Sequence, residues 1–113
     1  MPFIHMMTNQ SVSAAAEKAM KEAFGKAISI IPGKSEQWLM VDIEGGHHLY
    51  LAGSGEPAAM VEVSLYGSAD GATYNKLTGA VTETVAGSLG IDPARVYVKY
   101  AETSYWGWNG ENF

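Results

Sequence analysis

The segment AMVEVSLY, residues 59–66, decides the fold. Apolar and polar residues alternate along it, which is the period of a half-buried strand. A second short apolar run, FIHMM at residues 3–7, predicts a buried strand near the N-terminus. The starts of the two strands, Pro2 and Ala59, lie 57 residues apart. Because the same offset recurs elsewhere in the chain, it indicates an internal repeat.

A helix pattern follows each of these strands. Ser13 is a good N-cap, and apolar residues then recur at spacings of three and four as far as Ile31. Asp70 can cap a second helix, whose apolar stripe runs over residues 74–89. Gly33 and Gly90 close the two helices and are again 57 residues apart. The closing strands are predicted at residues 38–43 and 95–100.

The chain therefore reads as two βαβ units, about residues 1–57 and 58–113, within a single domain spanning 1–113. Right-handed crossovers make the two strands of each unit parallel. We expect an α+β two-layer sandwich: a four-stranded mixed sheet, two helices on one face, and short edge strands such as residues 49–51. The other face has no cover within the chain, although parallel strands normally need both faces buried. The pattern thus predicts an oligomer that packs these faces together.

Composition excludes several classes of function. The net charge of −5 and the lack of a basic patch argue against a nucleic-acid partner. Cysteine is absent, so disulfides and thiolate chemistry are excluded. No apolar run approaches the roughly 20 residues of a membrane span. The first 12 residues lack a signal-peptide pattern, so the expected location is the cytoplasm.

Pro2 is the candidate catalytic base. A small second residue normally lets the initiator methionine be removed, which would leave a free secondary amine on Pro2. An α-amino group titrates at about 7.7–8.0, and apolar surroundings or nearby cations lower its pKa. Such an amine can act as a general base near neutral pH. The alternative is that Pro2 only gives the first strand a rigid start.

The C-terminal aromatic residues and the three histidines are further candidates for a functional role. Four aromatic residues crowd the last nine positions, and they are expected either to line an apolar pocket or to pack in a subunit interface. His47 and His48 are adjacent in a strand-like loop and point apart, so no shared metal is predicted. His5 alternates within the first strand and is interpreted as a packing residue. No metal site is therefore expected.

At this point the chain resembles the macrophage migration inhibitory factor and D-dopachrome tautomerase family. The resemblance spans the whole length and lies in the combination of short motifs in order: MPFI at residues 1–4, Thr8-Asn9, Gly33-Lys34, Gln37-Trp38, Gly55-Glu56-Pro57, RVYV at residues 95–98, Gly107-Trp108-Asn109 and Phe113.

The resemblance implies a homotrimer that catalyses keto–enol tautomerisation of small aromatic α-keto acids such as phenylpyruvate, without a cofactor. It implies Pro2 as catalytic base, Lys34 as the cation for the substrate carboxylate, and Tyr97 as a proton donor from a neighbouring subunit. It also implies a backbone contact from Tyr66. The pocket walls that it implies are aromatic: Phe3, Trp38, Trp106, Trp108 and Phe113.

The sequence departs from the family pattern at several of these positions. Lys99 replaces an asparagine, so a second cation either binds substrate or points into solvent. Tyr66 and Trp106 stand where smaller side chains are expected. The alternative function is a cytokine-like signalling protein, secreted without a signal peptide and acting on a host receptor, with the pocket as a vestige. Nothing in the sequence identifies such a receptor.

Overall fold

The computed structural model describes all residues 1–113 and contains two βαβ units in succession. The first consists of β1 (Pro2–Thr8), α1 (Ala14–Ala27) and β2 (Met40–Glu44). The second consists of β3 (Ala59–Tyr66), α2 (Gly71–Leu89) and β4 (Val96–Thr103). A C-terminal hairpin adds β5 (Gly107–Trp108) and β6 (Glu111–Asn112). The expected two-layer α+β architecture is confirmed.

The strands form one mixed sheet in the order β2-β1-β3-β4. β1 pairs with β2 in parallel and β3 with β4 in parallel, while β1 and β3 run antiparallel. The 57-residue offset holds to the residue: β1 and β3 start at Pro2 and Ala59, and the helices start at Ala14 and Gly71. Each βαβ unit thus has the parallel strands that right-handed crossovers require.

The predicted caps are present. Ser13 accepts a hydrogen bond from the Ala16 amide, and Asp70 accepts one from the Thr73 amide. Gly90 ends α2 in the left-handed conformation, at φ 66°, which favours glycine because it has no Cβ. The side chains of Ser13 and Asp70 thus satisfy amides at the helix starts that have no partner within the helix.

The core lies between the helices and one face of the sheet. Burial alternates strictly along β1 and β3, so every second side chain enters this core. Each fully buried large apolar side chain contributes about 1.5–3 kcal/mol. The largest fully buried side chains are Phe24, Ile4, Met6, Met20, Ile28, Ile31, Leu65, Leu77, Val61, Val63, Val81 and Val85.

The opposite face of the sheet, the open face, is not covered by any element of the chain. It comprises Phe3, His5 and Met7 of β1, Met40, Asp42 and Glu44 of β2, Met60, Glu62 and Ser64 of β3, and Tyr97, Lys99 and Ala101 of β4. Met40 and Tyr97 are 68% and 58% exposed there. Exposed large apolar residues of this kind are typical of an interaction surface.

Some element boundaries differ from the expectation. α1 ends at Ala27 and continues as a 3₁₀ turn over Ile28–Ile30, and a second 3₁₀ turn, Glu36–Trp38, delays β2 to Met40. Residues 49–51 form no edge strand, only an isolated bridge between Leu51 and Ser54. The reason is that the Asn9 and Arg95 side chains occupy the carbonyls of this loop. No helix combines the length and the hydropathy needed to cross a bilayer.

Candidate active site

A cavity of about 480 Å³ opens at the N-terminus of the chain. β1 brings the terminus there, the turn after α1 supplies Gly33, and the C-terminal hairpin closes the far wall. Aromatic rings dominate the lining, which suits an apolar or aromatic ligand. The lining residues are Met1, Gly33, Trp38, Tyr66, Trp108 and Phe113.

The aromatic wall is held by ring-to-ring contacts. Trp38 meets Trp108 edge-on at a centroid distance of 5.2 Å, and Phe113 packs against Tyr66 at 5.6 Å. The rings of Trp108 and Phe113 are nearly parallel at 6.4 Å. Edge-to-face and offset geometries of this kind are favourable for aromatic pairs. The wall therefore joins the 3₁₀ turn before β2, the end of β3 and the C-terminal segment.

The hairpin that carries Trp108 depends on a tight turn. Asn109 and Gly110 both have positive φ, 52° and 85°. An Asn-Gly pair with two left-handed residues matches a type I′ turn, which suits a two-residue hairpin loop. The amide of Phe113 then donates to the backbone oxygen of Trp106 at 3.0 Å, which positions the terminal ring over the cavity.

Lys34 is the cation of the site. It is half-buried directly after Gly33, and its Nζ donates to the backbone oxygen of Tyr66 at 2.7 Å. The terminal amine of Met1 lies close to it. Burial lowers the pKa of this amine below its ordinary value of 8.0, and the charge of Lys34 and a hydrogen bond with its side chain lower the pKa further.

Pro2 lies one residue inside the cavity mouth. It is buried at the start of β1, and Met1 stands between it and the cavity. The backbone oxygen of Met1 accepts a hydrogen bond from the Tyr66 amide at 3.0 Å. With Met1 in place the Pro2 nitrogen is a peptide nitrogen and has no basicity. Removal of Met1 would free both that nitrogen and the Tyr66 amide.

The sequence-predicted site residues separate into two groups within one protomer. Lys34, Trp38, Tyr66, Trp108 and Phe113 gather around the cavity with the N-terminus. Three other residues project from the open face and do not line the cavity: Phe3, Tyr97 and Lys99.

The open-face group has contacts of its own. Phe3 stacks on the ring of His5, with centroids 5.9 Å apart. Lys99 lies 3.9 Å from a carboxylate oxygen of Glu62. Trp106 is half-buried and contributes its backbone oxygen rather than a cavity wall. Gly33 and Met1 line the cavity without having been predicted as site residues, although Gly33 belongs to the Gly33-Lys34 motif.

Two polar residues outside the predicted site hold the loop after β2. Asn9 Nδ2 donates to the carbonyls of Leu49, Gly55 and Glu56, and its Oδ1 accepts from the Ala58 amide. The guanidinium of Arg95 donates to four loop carbonyls, those of Leu51, Ser54, Glu56 and Pro57. Side-chain hydrogen bonds thus connect three of the sequence motifs. Asn9 of Thr8-Asn9 and Arg95 both hold the loop that contains Gly55-Glu56-Pro57 in place.

Known proteins match this chain over its full length. A family model described as macrophage migration inhibitory factor (MIF) matches residues 1–113. The macrophage migration inhibitory factor of Meriones unguiculatus is 29% identical over 118 aligned residues, which cover 100% of this chain and 99% of that protein.

Solved structures agree. MIF2 of Leishmania major superposes with a TM-score of 0.93 at 28% identity, covering 100% of this chain and 97% of that one. The homologue from Prochlorococcus marinus gives a TM-score of 0.89 at 27% identity, with 98% of each chain covered. The chain belongs to the macrophage migration inhibitory factor family.

Proposed function

We propose that this protein is a cofactor-independent keto–enol tautomerase of small aromatic α-keto acids, with the amine of Pro2 as general base once Met1 is removed. Membership of this family is consistent with isomerase activity in general, and the family includes both tautomerase-like and cytokine-like members. The observation that carries the proposal is the position of the chain terminus, which opens into an aromatic cavity beside Lys34.

The environment of the terminus favours a base. Burial and Lys34 lower the pKa of the Met1 amine, and the Pro2 amine would lie one residue further in, beside the same cation. Since both influences disfavour the protonated amine, a larger fraction is neutral at pH 7. A base with a pKa near the working pH is the most effective one for proton abstraction.

Phenylpyruvate illustrates the proposed reaction. Lys34 binds the carboxylate, and the aromatic walls hold the ring. Pro2 takes a proton from the carbon between the ketone and the ring, and the electron pair moves to the ketone oxygen. A donor, either Tyr97 or Lys34, gives this oxygen a proton, so the enol carries the same atoms as the ketone. Donors placed where the charge develops stabilise the transition state.

Tyr97 reaches a site only if another protomer supplies it. In the sheet register Tyr97 lies beside Met60, whereas Pro2 lies beside Leu65 at the other end of β3. Five residues along a strand correspond to about 16 Å. Trimers are general in this family, so we propose a homotrimer in which the open faces meet and Tyr97 of one protomer serves the cavity of the next.

The decisive experiment compares protein whose N-terminus is Pro2, as verified by intact mass, with the Pro2→Gly variant. We expect the first to enolise phenylpyruvate and the second to lose most of that rate, because glycine supplies a primary amine of different geometry and basicity. Equal rates would rule out Pro2 as the base. Circular dichroism of both proteins checks that the fold is unchanged.

A secreted, cytokine-like role is the second candidate, favoured by the names of the relatives. It predicts the protein in the culture supernatant of intact source cells, with an intracellular marker protein retained. Detection inside the cells alone would exclude it. The two roles are compatible with each other, since the catalytic cavity and an outer binding surface need not overlap.

A further inference from the structure

Imidazole and carboxylate groups converge on the open face, at the junction of β1 and β2. Nε2 of His5 lies 3.2 Å from Oε1 of Glu44 and 3.8 Å from Oδ2 of Asp42. Nε2 of His47 lies 2.7 Å from Oε2 of the same glutamate. One ligand atom from each of His5, Asp42 and Glu44 lies within 4.8 Å of the other two.

The sheet register explains why these residues meet. His5 pairs with Asp42 in the parallel ladder, and Met7 pairs with Glu44. Because side chains alternate along a strand, the two acidic residues of β2 project from the same face and flank the imidazole. Phe3 stacks on the other side of the His5 ring, with the planes 18° apart, which restricts its orientation.

The spacing of these atoms is close to what a metal ion requires. Ligands at about 2.0–2.2 Å from a tetrahedral ion are separated from each other by about 3.3 Å. The observed separations of 3.2 and 3.8 Å fall near that value. The side chains of His5, Asp42 and Glu44 are 25%, 46% and 39% exposed in the single chain, so the ligand atoms are within reach of an ion before the protomers assemble.

Charge on the open face also favours a cation. Three carboxylates lie there, on Asp42, Glu44 and Glu62, but Lys99 is the only lysine or arginine, and it pairs with Glu62 at 3.9 Å. Asp42 and Glu44 have no lysine or arginine within 4.0 Å. Their partners are the imidazoles of His5 and His47. A trimer that covers this face would desolvate the carboxylates, and a bound cation would offset that cost.

We propose that His5, Asp42 and Glu44 bind a divalent first-row transition metal, for which Zn²⁺ is the best match. One imidazole nitrogen and two carboxylate oxygens are a donor set that zinc accepts, with a fourth position left for water. His47 acts as a positioning residue, because its hydrogen bond orients the Glu44 carboxylate. The sequence alone predicted no metal site, since His5 and Asp42 are brought together only by the strand pairing.

The test uses the full chain, freed of metal by dialysis against a chelator and titrated with Zn²⁺ by calorimetry. We expect saturable binding with one ion per chain and a higher Tm in the presence of Zn²⁺. Substitution with Co²⁺ should give visible d–d absorption that reports the coordination geometry. Loss of an outer-shell hydrogen bond typically costs 10–100-fold in affinity, so His47→Ala, which has no donor for Glu44, should weaken binding about tenfold.

Matched variants separate a built site from adventitious binding. His5→Gln and Asp42→Asn should each abolish tight binding, whereas His48→Gln, an exposed neighbour outside the cluster, should bind as the parent does. If His5→Gln does not fold, Asp42→Asn tests the same set of ligands. Weak binding that none of these substitutions alters, or equal loss in His48→Gln, would overturn the proposal.

Discussion

Lys34 Nζ donates to the backbone oxygen of Tyr66 at 2.7 Å, and the amide of the same Tyr66 donates to the backbone oxygen of Met1 at 3.0 Å. The end of β3 therefore links the cation of the site to the chain terminus. Burial lowers the pKa of the terminal amine, and the charge of the nearby Lys34 and a hydrogen bond with its side chain lower the pKa further. This geometry predicts that the cation and the base are coupled in any pH profile.

Replacing Lys34 by methionine tests this coupling. A lowered amine pKa means that the base is neutral from a lower pH upward, so the rate should rise with pH through that pKa. Lys34→Met removes the cation, and the rising limb of kcat/KM against pH should move to higher pH. KM for phenylpyruvate should also increase, because the carboxylate loses its partner. Lys76→Met, on the exposed side of α2, should leave both unchanged. A lower rate with an unmoved pH profile would show that Lys34 binds substrate without tuning the base.

The four hydrogen bonds from Arg95 to carbonyls of the loop after β2, called here the loop clamp, predict a large effect on stability. Arg95→Lys keeps the charge but cannot reproduce a planar fork that donates to four carbonyls. We expect a loss of about 2–3 kcal/mol in the free energy of unfolding, since charged donors contribute more than neutral ones and partly buried carbonyls lose partners. Lys76→Arg, the reverse exchange at an exposed position, should change it by less than about 0.5 kcal/mol. Denaturant titrations measure both, and an Arg95→Lys variant as stable as the parent would contradict the clamp.

Tyr74 of α2 and Tyr100 of β4, whose rings stack at a centroid distance of 4.3 Å, predict an alkaline transition. Burial and a hydrogen bond to Glu102 raise the pKa of Tyr74 to about 12, and burial raises the pKa of Tyr100. A raised pKa stabilises the fold below pH 10, where the tyrosine is protonated in both states. The contribution is lost as the pH rises from 10 to about 12, because the unfolded chain ionises first.

Ultraviolet titration of the phenolates checks this directly. Because Tyr74 is half ionised at its pKa, the parent should show ionisation that is still incomplete at about pH 12, and Tyr74→Phe should remove part of that late phase. Tyr105→Phe, at a position that is 79% exposed, should retain it. Complete ionisation of the folded parent well below pH 12 would be inconsistent with the raised pKa of the half-buried, hydrogen-bonded Tyr74 phenol.

Periodicity explains how far the fold could be predicted from the sequence. The 57-residue offset located the starts of both helices and both first strands, because each repeat must build the same βαβ unit. The contacts of Asn9 and Arg95 left no such signal. They join side chains to carbonyls about 40 residues away, and neither residue type nor spacing indicates which carbonyls these are.

Part of the candidate site, like part of the fold, could be predicted from the sequence. The motifs around Lys34, Trp38 and Trp108 identified residues that do gather at the terminus. The sequence could not show the cluster of His5 with Asp42 and Glu44, because it arises from the register of two strands that are far apart in the chain. Alternation along β4 places Tyr97 on the open face, so the role proposed for Tyr97 requires a second protomer.

Mixed trimers test that dependence on a neighbour. Pro2→Gly lacks the base, and Tyr97→Phe lacks one of the two proposed donors. If Tyr97 is the donor that acts, each variant alone should be nearly inactive. When equal amounts are unfolded together and reassembled, about a quarter of the shared sites should combine an intact Pro2 with an intact Tyr97 from the adjacent protomer. Activity should therefore recover to about a quarter of the parent value. If both residues served the same cavity from one protomer, no mixed site would be complete and no activity would return. Separately refolded variants, mixed only after assembly, are the control and should remain inactive.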